Sequence, residues 1–79
     1  MTFPLYTDVA LACDLPEHRL RRGDLVRLVD HHVAPDGEEG YSVELLGAKG
    51  QILAVIAVTS KCLEALRDDE VLSVRAIAV

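Results

Sequence analysis

Tryptophan is absent from the sequence, and the aromatic residues are Phe3, Tyr6 and Tyr41 alone. A folded core of this chain must therefore be built from valine, leucine, isoleucine and alanine. The shortage also argues against a polyproline-binding groove, since such grooves are lined by aromatic rings. Binding of proline-rich ligands in the manner of eukaryotic signalling domains is thus not expected.

Basic residues are also scarce. The 8 Lys and Arg residues stand against 13 Asp and Glu residues, which gives a formal net charge of −5. Nucleic-acid binders carry a basic face, and anionic lipid surfaces attract basic segments. The longest apolar run, Ile52–Val58, is far too short to span a bilayer. We therefore expect neither nucleic acid nor a membrane as a partner.

Cysteine is limited to Cys13 and Cys62. A disulfide between them is open on count alone, but small secreted domains usually carry more bridges. No signal peptide precedes the first charged residues, because the run Met1–Tyr6 is short and lacks a basic start. These features predict a cytoplasmic protein with reduced, buried thiols that have no functional role.

The 79 residues are enough for one domain, residues 1–79. Turn residues recur at short intervals, and the segments between them have the alternating, β-branched character of strands. No strand–helix–strand spacing occurs, so the pattern favours an antiparallel sheet. Five strands are predicted: Asp8–Cys13, Leu25–Val33, Tyr41–Leu46, Gln51–Val58 and Val71–Val79.

One helical turn is predicted at Thr59–Leu66, before the last strand. Five antiparallel strands in so short a chain must curl to bury an aliphatic core without exposed edges. The connections run long, medium, tight and then through the helical turn. This order predicts an all-β, five-stranded SH3-like barrel.

Most of the chain resembles a bacterial family. Leu15-Pro16-Glu17 and Gly23-Asp24 stand at the spacing of its "D-L-P-E-x-x-L-x-x-G-D" motif, and Tyr41–Leu45 is similar to its "Y-x-V-E-F" strand. The family is domain of unknown function 4926, and the resemblance runs from about Leu5 to Leu66. It implies an SH3-like barrel without an assigned activity. The setting in which members are encoded resembles that of toxin–antitoxin or immunity pairs.

Charged residues concentrate in two predicted loops. Arginines suit bidentate contacts with carboxylates or phosphates, and acidic loops steer a basic partner. The alternative is a purely structural role, in which the first loop only closes the barrel, with Gly23 at positive φ and Asp24 capping a turn. The candidate partner-binding residues are Glu17, Arg19, Arg21, Arg22, Asp24, Asp36, Glu38 and Glu39.

Three histidines suggest a second function, a small-ligand or metal-binding barrel that uses His18, His31 and His32. Adjacent strand residues point to opposite faces, so His31 and His32 should diverge. Their spacing fits no zinc pattern. No nucleophile elbow, phosphate loop or triad spacing occurs. We expect no catalytic residues, no metal ligands and no cofactor, and we do not expect an enzyme.

The predicted last strand, Val71–Val79, is apolar to its last residue except for Ser73 and Arg75. It either closes the barrel against the first strand or pairs with another chain, which would make a homodimer. The sequence therefore predicts a small protein-interaction module, the acidic, antitoxin- or immunity-like partner of a protein encoded nearby.

Overall fold

The computed structural model describes residues 3–77. Five antiparallel strands form one sheet in the order β4-β3-β2-β1-β5, with 3-10 turns at Pro16–His18 and Ser60–Cys62. The all-β class and the short helical turn before the last strand are confirmed, while closure as an SH3-like barrel stays a prediction. The strands are β1 Asp8–Leu11, β2 Leu25–Val33, β3 Glu39–Leu46, β4 Ile52–Thr59 and β5 Leu63–Glu64.

Strand β3 shows how alternation places the core. Tyr41, Val43 and Leu45 are buried, while the residues between them are partly exposed. Successive side chains of a strand point to opposite faces, so one face of the sheet collects the apolar residues. All five strands contribute to a single cluster on this inner face. Its strand members are Val9, Leu11, Val26, Leu28, Tyr41, Val43, Leu45, Val58 and Leu63.

Tyr41 is the largest fully buried side chain. Its hydroxyl accepts a hydrogen bond of 2.8 Å from the backbone N–H of Phe3, and the two rings meet edge to face with centroids 5.9 Å apart. A buried tyrosine hydroxyl needs such a partner. The contact ties the N-terminal segment to the inner face and confirms that Tyr41 faces the core.

The connection between β3 and β4 is tight, as the glycines predicted. The N–H of Gly47 bonds to the carbonyl of Gln51 at 2.7 Å, and the N–H of Gly50 bonds to the carbonyl of Gly47. Gly50 has φ of +85°, a conformation that side-chain-bearing residues rarely adopt. The hairpin therefore depends on glycine at this position.

The predicted fifth strand at Val71–Val79 is wrong for residues 71–77, which form no strand. Ala78 and Val79 lie outside the described residues. The chain instead reaches the free edge of β1 directly after the second 3-10 turn, where Leu63 pairs with Leu11 and Glu64 pairs with Ala10. Because β5 already occupies this edge, residues 71–77 have no place beside β1.

The prediction of reduced thiols is also wrong. Cys13 and Cys62 form a disulfide, with their Cα atoms 5.3 Å apart. The antiparallel pairing of β1 with β5 brings Cys13, which lies two residues after β1, close to Cys62, which directly precedes β5. Cysteine spacing along the chain contains no information about this pairing, which arises only when the sheet forms.

Neither 3-10 turn within residues 3–77 is long or apolar enough to cross a membrane.

We predict that replacing both cysteines with alanine lowers the free energy of unfolding by about 4 kcal/mol. The estimate follows from the chain entropy of closing a loop of 49 residues in the unfolded state. Urea unfolding of the two proteins measures the difference. Unfolding of the wild type in excess reductant is the control, and it should approach the double variant. Equal unfolding midpoints with and without reductant would contradict the prediction.

Candidate interaction surfaces

The loop between β1 and β2 is held by its own backbone. Leu15 and Leu20 form an isolated bridge around the first 3-10 turn, and buried Leu20 anchors the loop to the core. The N–H of Gly23 bonds to the carbonyl of Leu11 at 2.8 Å, and Gly23 has φ of +94°. The positive φ of Gly23 is therefore confirmed, while closure of a barrel by this loop stays a prediction.

Asp24 caps the end of this loop. Its Oδ2 accepts a hydrogen bond of 2.8 Å from the backbone N–H of Arg21. Asp14 acts similarly, because its Oδ1 accepts the backbone N–H of Arg22 at 2.8 Å. The backbones of Arg21 and Arg22 are therefore bound to carboxylates, whereas the residues themselves are exposed.

Asp24 also holds the C-terminal segment, residues 66–77. Nε of Arg75 donates to Oδ1 of Asp24 at 3.0 Å, and Nη2 of Arg75 donates to Oδ2. This fork-like pair uses both carboxylate oxygens, the geometry that favours arginine over lysine. The side chain of Asp24 is only 14% exposed, so the pair lies in partly desolvated surroundings.

Two opposed effects act on the pKa of Asp24. Burial raises it, but the hydrogen bonds from Arg75 and from the backbone of Arg21, with the charges of both arginines, outweigh burial and leave the pKa below its ordinary value. The hydrogen bond with Asp24 raises the pKa of Arg75 in turn. Both groups are therefore charged at neutral pH.

The acidic turn, residues 36–39, connects β2 to β3 and ends at Glu39, the first residue of β3. Oδ1 of Asp36 accepts the N–H of Glu38 at 2.9 Å, and the N–H of Ala34 bonds to the carbonyl of Glu38 at 2.8 Å. Gly37 has φ of +89°. The acidic turn shares a shallow surface groove with Ser60 and Lys61, which follow β4.

The structure divides the predicted site residues into two groups. Glu17, Arg19, Arg21, Arg22 and Asp24 precede β2, whereas the acidic turn follows it. Nine residues of extended chain separate the groups by up to about 26 Å, at about 3.3 Å per residue. The eight residues therefore do not form one patch, and their roles in binding stay predictions.

The histidines do not gather either. His31 packs on the ring of Tyr41, with centroids 4.9 Å apart, while a ring nitrogen of His32 lies 2.7 Å from Oγ of Ser42. The predicted divergence of these two side chains is confirmed. His18 lies in the first 3-10 turn, before β2. Residues 3–77 contain no group of three His, Cys, Asp or Glu side chains arranged to hold a metal ion.

Strand β4 forms one edge of the sheet, with β3 on its only paired side within the described residues. Its eight residues carry no charge. Three of its large apolar side chains are about half exposed: Ile52, Leu53 and Val55. Natural edge strands are usually protected by charges, proline or bulges along their length, and the centre of β4 has none of these.

A second apolar surface is the groove under the C-terminal segment, a space of about 670 Å³. It lies on the outer side of the sheet, and the loop between β1 and β2 forms one of its walls. Its apolar floor includes Ala10, Leu25, Leu46 and Leu53. Asp24 and Arg75 lie at its polar side.

A family model described as Domain of unknown function (DUF4926) matches residues 5–65. The chain belongs to this family. The resemblance indicated by the Pro-Glu and Gly-Asp motifs is therefore confirmed. No curated protein and no solved structure matches the chain. The DUF4926 match includes Asp24 and the floor of the groove but ends before Arg75.

Sequence reasoning missed Arg75 as the partner of Asp24. The signal was present only as Arg75 itself, the one charged residue among residues 71–77. Nothing in the spacing of 51 residues connects the two, because their contact depends on where β5 directs the chain.

We predict that Asp24→Asn lowers the free energy of unfolding at pH 7 by about 1 kcal/mol, as charge-assisted hydrogen bonds are lost. The lowered pKa of native Asp24 means that its stabilisation is complete above the ordinary value of 3.8. As the pH falls through the native pKa, the carboxylate protonates and the stabilisation is lost. The difference between wild type and variant should thus be constant above about pH 5 and shrink below pH 4.

Urea unfolding between pH 3 and pH 7 measures this dependence. Asp14→Asn is the matched control, because Asp14 also accepts a backbone N–H in the same loop. A larger loss from Asp14→Asn than from Asp24→Asn at neutral pH would show that the arginine pair adds nothing to the backbone contact.

Proposed function

We propose that the protein is a small protein-interaction module, the acidic partner of another protein. The observation that carries the proposal is β4, an uncharged edge strand of eight residues with exposed apolar side chains. An extended segment of another chain can extend such a sheet by β-augmentation, in which main-chain hydrogen bonds give affinity and side chains give specificity.

The acidic turn supports a basic partner. Gly40 pairs with Thr59 in the sheet, so the acidic turn lies beside the end of β4. A strand added to β4 would pass this end of the sheet. Lysine or arginine just beyond that strand would face Asp36, Glu38 and Glu39, and the net charge of −5 would speed the encounter.

A second copy of this chain is a poorer occupant of the same edge. Lys49 and Lys61 flank β4 and are equally far from Val55 along the sequence. If two copies paired antiparallel about Val55, Lys49 of one copy would lie opposite Lys61 of the other. Like charges placed directly opposite each other are destabilising, which favours a different protein over self-pairing.

Several sequence predictions are untouched by these observations. The homodimer through residues 71–79 stays a prediction, although residues 71–77 do not form the strand it was expected to use. The lack of enzymatic activity, the cytoplasmic location and the antitoxin- or immunity-like role also stay predictions. The alternative function is a ligand or metal site at His18, His31 and His32. The separation of these side chains does not support it.

We predict that Val55→Lys abolishes capture of a partner. A lysine at the centre of the edge strand adds charge to the surface that a partner strand must cover. The tagged protein would be used to capture proteins from nuclease-treated lysate of its native host, and the partner would then be purified and its affinity measured. Loss of at least about tenfold in affinity corresponds to roughly 1.4 kcal/mol.

Val71→Lys is the matched control, because Val71 is also an exposed valine but lies outside the sheet, in the C-terminal segment. It should bind the partner like the wild type. A partner that binds Val55→Lys and the wild type equally would exclude β4 as the docking strand. For the antitoxin-like role, the partner should be toxic when expressed alone and harmless when expressed together with this protein.

A further inference from the structure

The groove under the C-terminal segment has a feature that edge pairing at β4 does not use. Its floor is largely apolar, with the ion pair of Asp8 and Arg27 beside it, and the carboxylate of Asp24 lies at its polar side. Ala10 belongs to this floor and is 4% exposed. Its neighbours Val9 and Leu11 are members of the inner core, so Ala10, on the opposite face, is covered by something other than the core.

Asp24 is fixed before it meets any partner. The backbone N–H of Arg21 bonds to its Oδ2, and the backbone N–H of Asp24 bonds to the carbonyl of Arg21 at 3.1 Å. The groove therefore presents a preformed carboxylate, and a preformed group loses little conformational entropy when a ligand binds.

The C-terminal segment occupies this groove loosely. Arg75 engages Asp24 with two donors, and Leu72 and Ile77 line the groove. By contrast, Val71 is 90% exposed and Val74 is 87% exposed. Bonds near the start of the segment are local, since Arg67 contacts Asp69 and Glu70. The contact between Arg75 and Asp24 therefore provides much of the attachment of this segment to the groove.

We propose that this groove is a docking site for an extended segment of another protein, one that carries an arginine among apolar residues. Residues 66–77 occupy the site within the same chain, as an internal competitor. Arginine is favoured over lysine because both oxygens of Asp24 accept from one planar guanidinium. An apolar flank fits the floor, and the arginine of the segment would pair with Asp24 as Arg75 does.

The family match separates the two halves of this contact. Asp24, Ala10, Leu25, Leu46 and Leu53 all fall within residues 5–65, whereas Arg75 falls outside them. The receiving surface therefore belongs to the family domain, and the segment that fills it lies beyond the matched part. Leu53 belongs both to β4 and to the floor of the groove, but the proposal does not depend on strand pairing at the free edge of β4.

The test uses the full-length protein and a fluorescent synthetic peptide with the sequence of residues 66–79. Fluorescence anisotropy measures peptide binding to the wild type, to Arg75→Ala and to Arg67→Ala. The affinity of a site that is only partly free is reduced by the free fraction. Releasing the internal segment with Arg75→Ala should therefore strengthen peptide binding at least about tenfold.

Arg67→Ala is the matched control. It removes an arginine from the same segment, but one whose side chain contacts Asp69 rather than the groove. It should bind the peptide like the wild type. Adding Asp24→Asn to Arg75→Ala should weaken binding again, and a peptide that carries lysine or alanine in place of Arg75 should bind less well.

Circular dichroism establishes that each variant is folded, and Arg75→Lys replaces Arg75→Ala if the latter is not. Equal peptide affinity of the wild type and the Arg75 variant would overturn the proposal, as would binding that Asp24→Asn leaves unchanged. Val55→Lys introduced into the Arg75 variant should leave peptide binding intact. Failure to capture a partner through β4 would therefore contradict only the proposed function. Failure of the peptide to bind would contradict only the proposed groove.

Discussion

The Cys13–Cys62 disulfide is the constraint on which the closing of the sheet depends. Strand β5 has only two residues, and its two backbone pairs with β1 would attach it only weakly by themselves. The disulfide and the adjacent hydrogen bond from the N–H of Ala12 to the carbonyl of Cys62, at 2.6 Å, fix β5 against β1. This attachment completes the inner core, because it delivers Leu63 and Cys62 to the same cluster as Leu11.

The position of β5 also decides where the rest of the chain goes. Because β5 occupies the edge of β1, the C-terminal segment passes along the outer side of the sheet rather than joining it. There it covers part of an apolar floor and places Arg75 on Asp24. Asp24 thus has two roles, since it caps the loop that closes one end of the sheet and anchors the segment that crosses the outer side.

The protein consequently has two exposed apolar surfaces besides its inner core. The uncharged edge of β4 lies beside the acidic turn, and the groove lies beside Asp24, so each apolar surface has negative charge at its border. This combination is typical of recognition surfaces, where apolar contact gives affinity and charge selects the partner. The proposed partner strand and the proposed arginine-bearing segment follow from these two borders.

The sequence by itself determined the strand class, the tight Gly47–Gly50 hairpin, the divergence of His31 and His32 and the turn formed by Gly23 and Asp24. Each depends on neighbouring residues, through alternation along a strand or the backbone freedom of glycine. Tertiary structure alone decided the disulfide, the position of β5, the separation of the predicted site residues into two groups and the pairing of Asp24 with Arg75. These depend on which distant segments meet, and Leu63–Glu64 rather than residues 71–77 occupy the edge of β1.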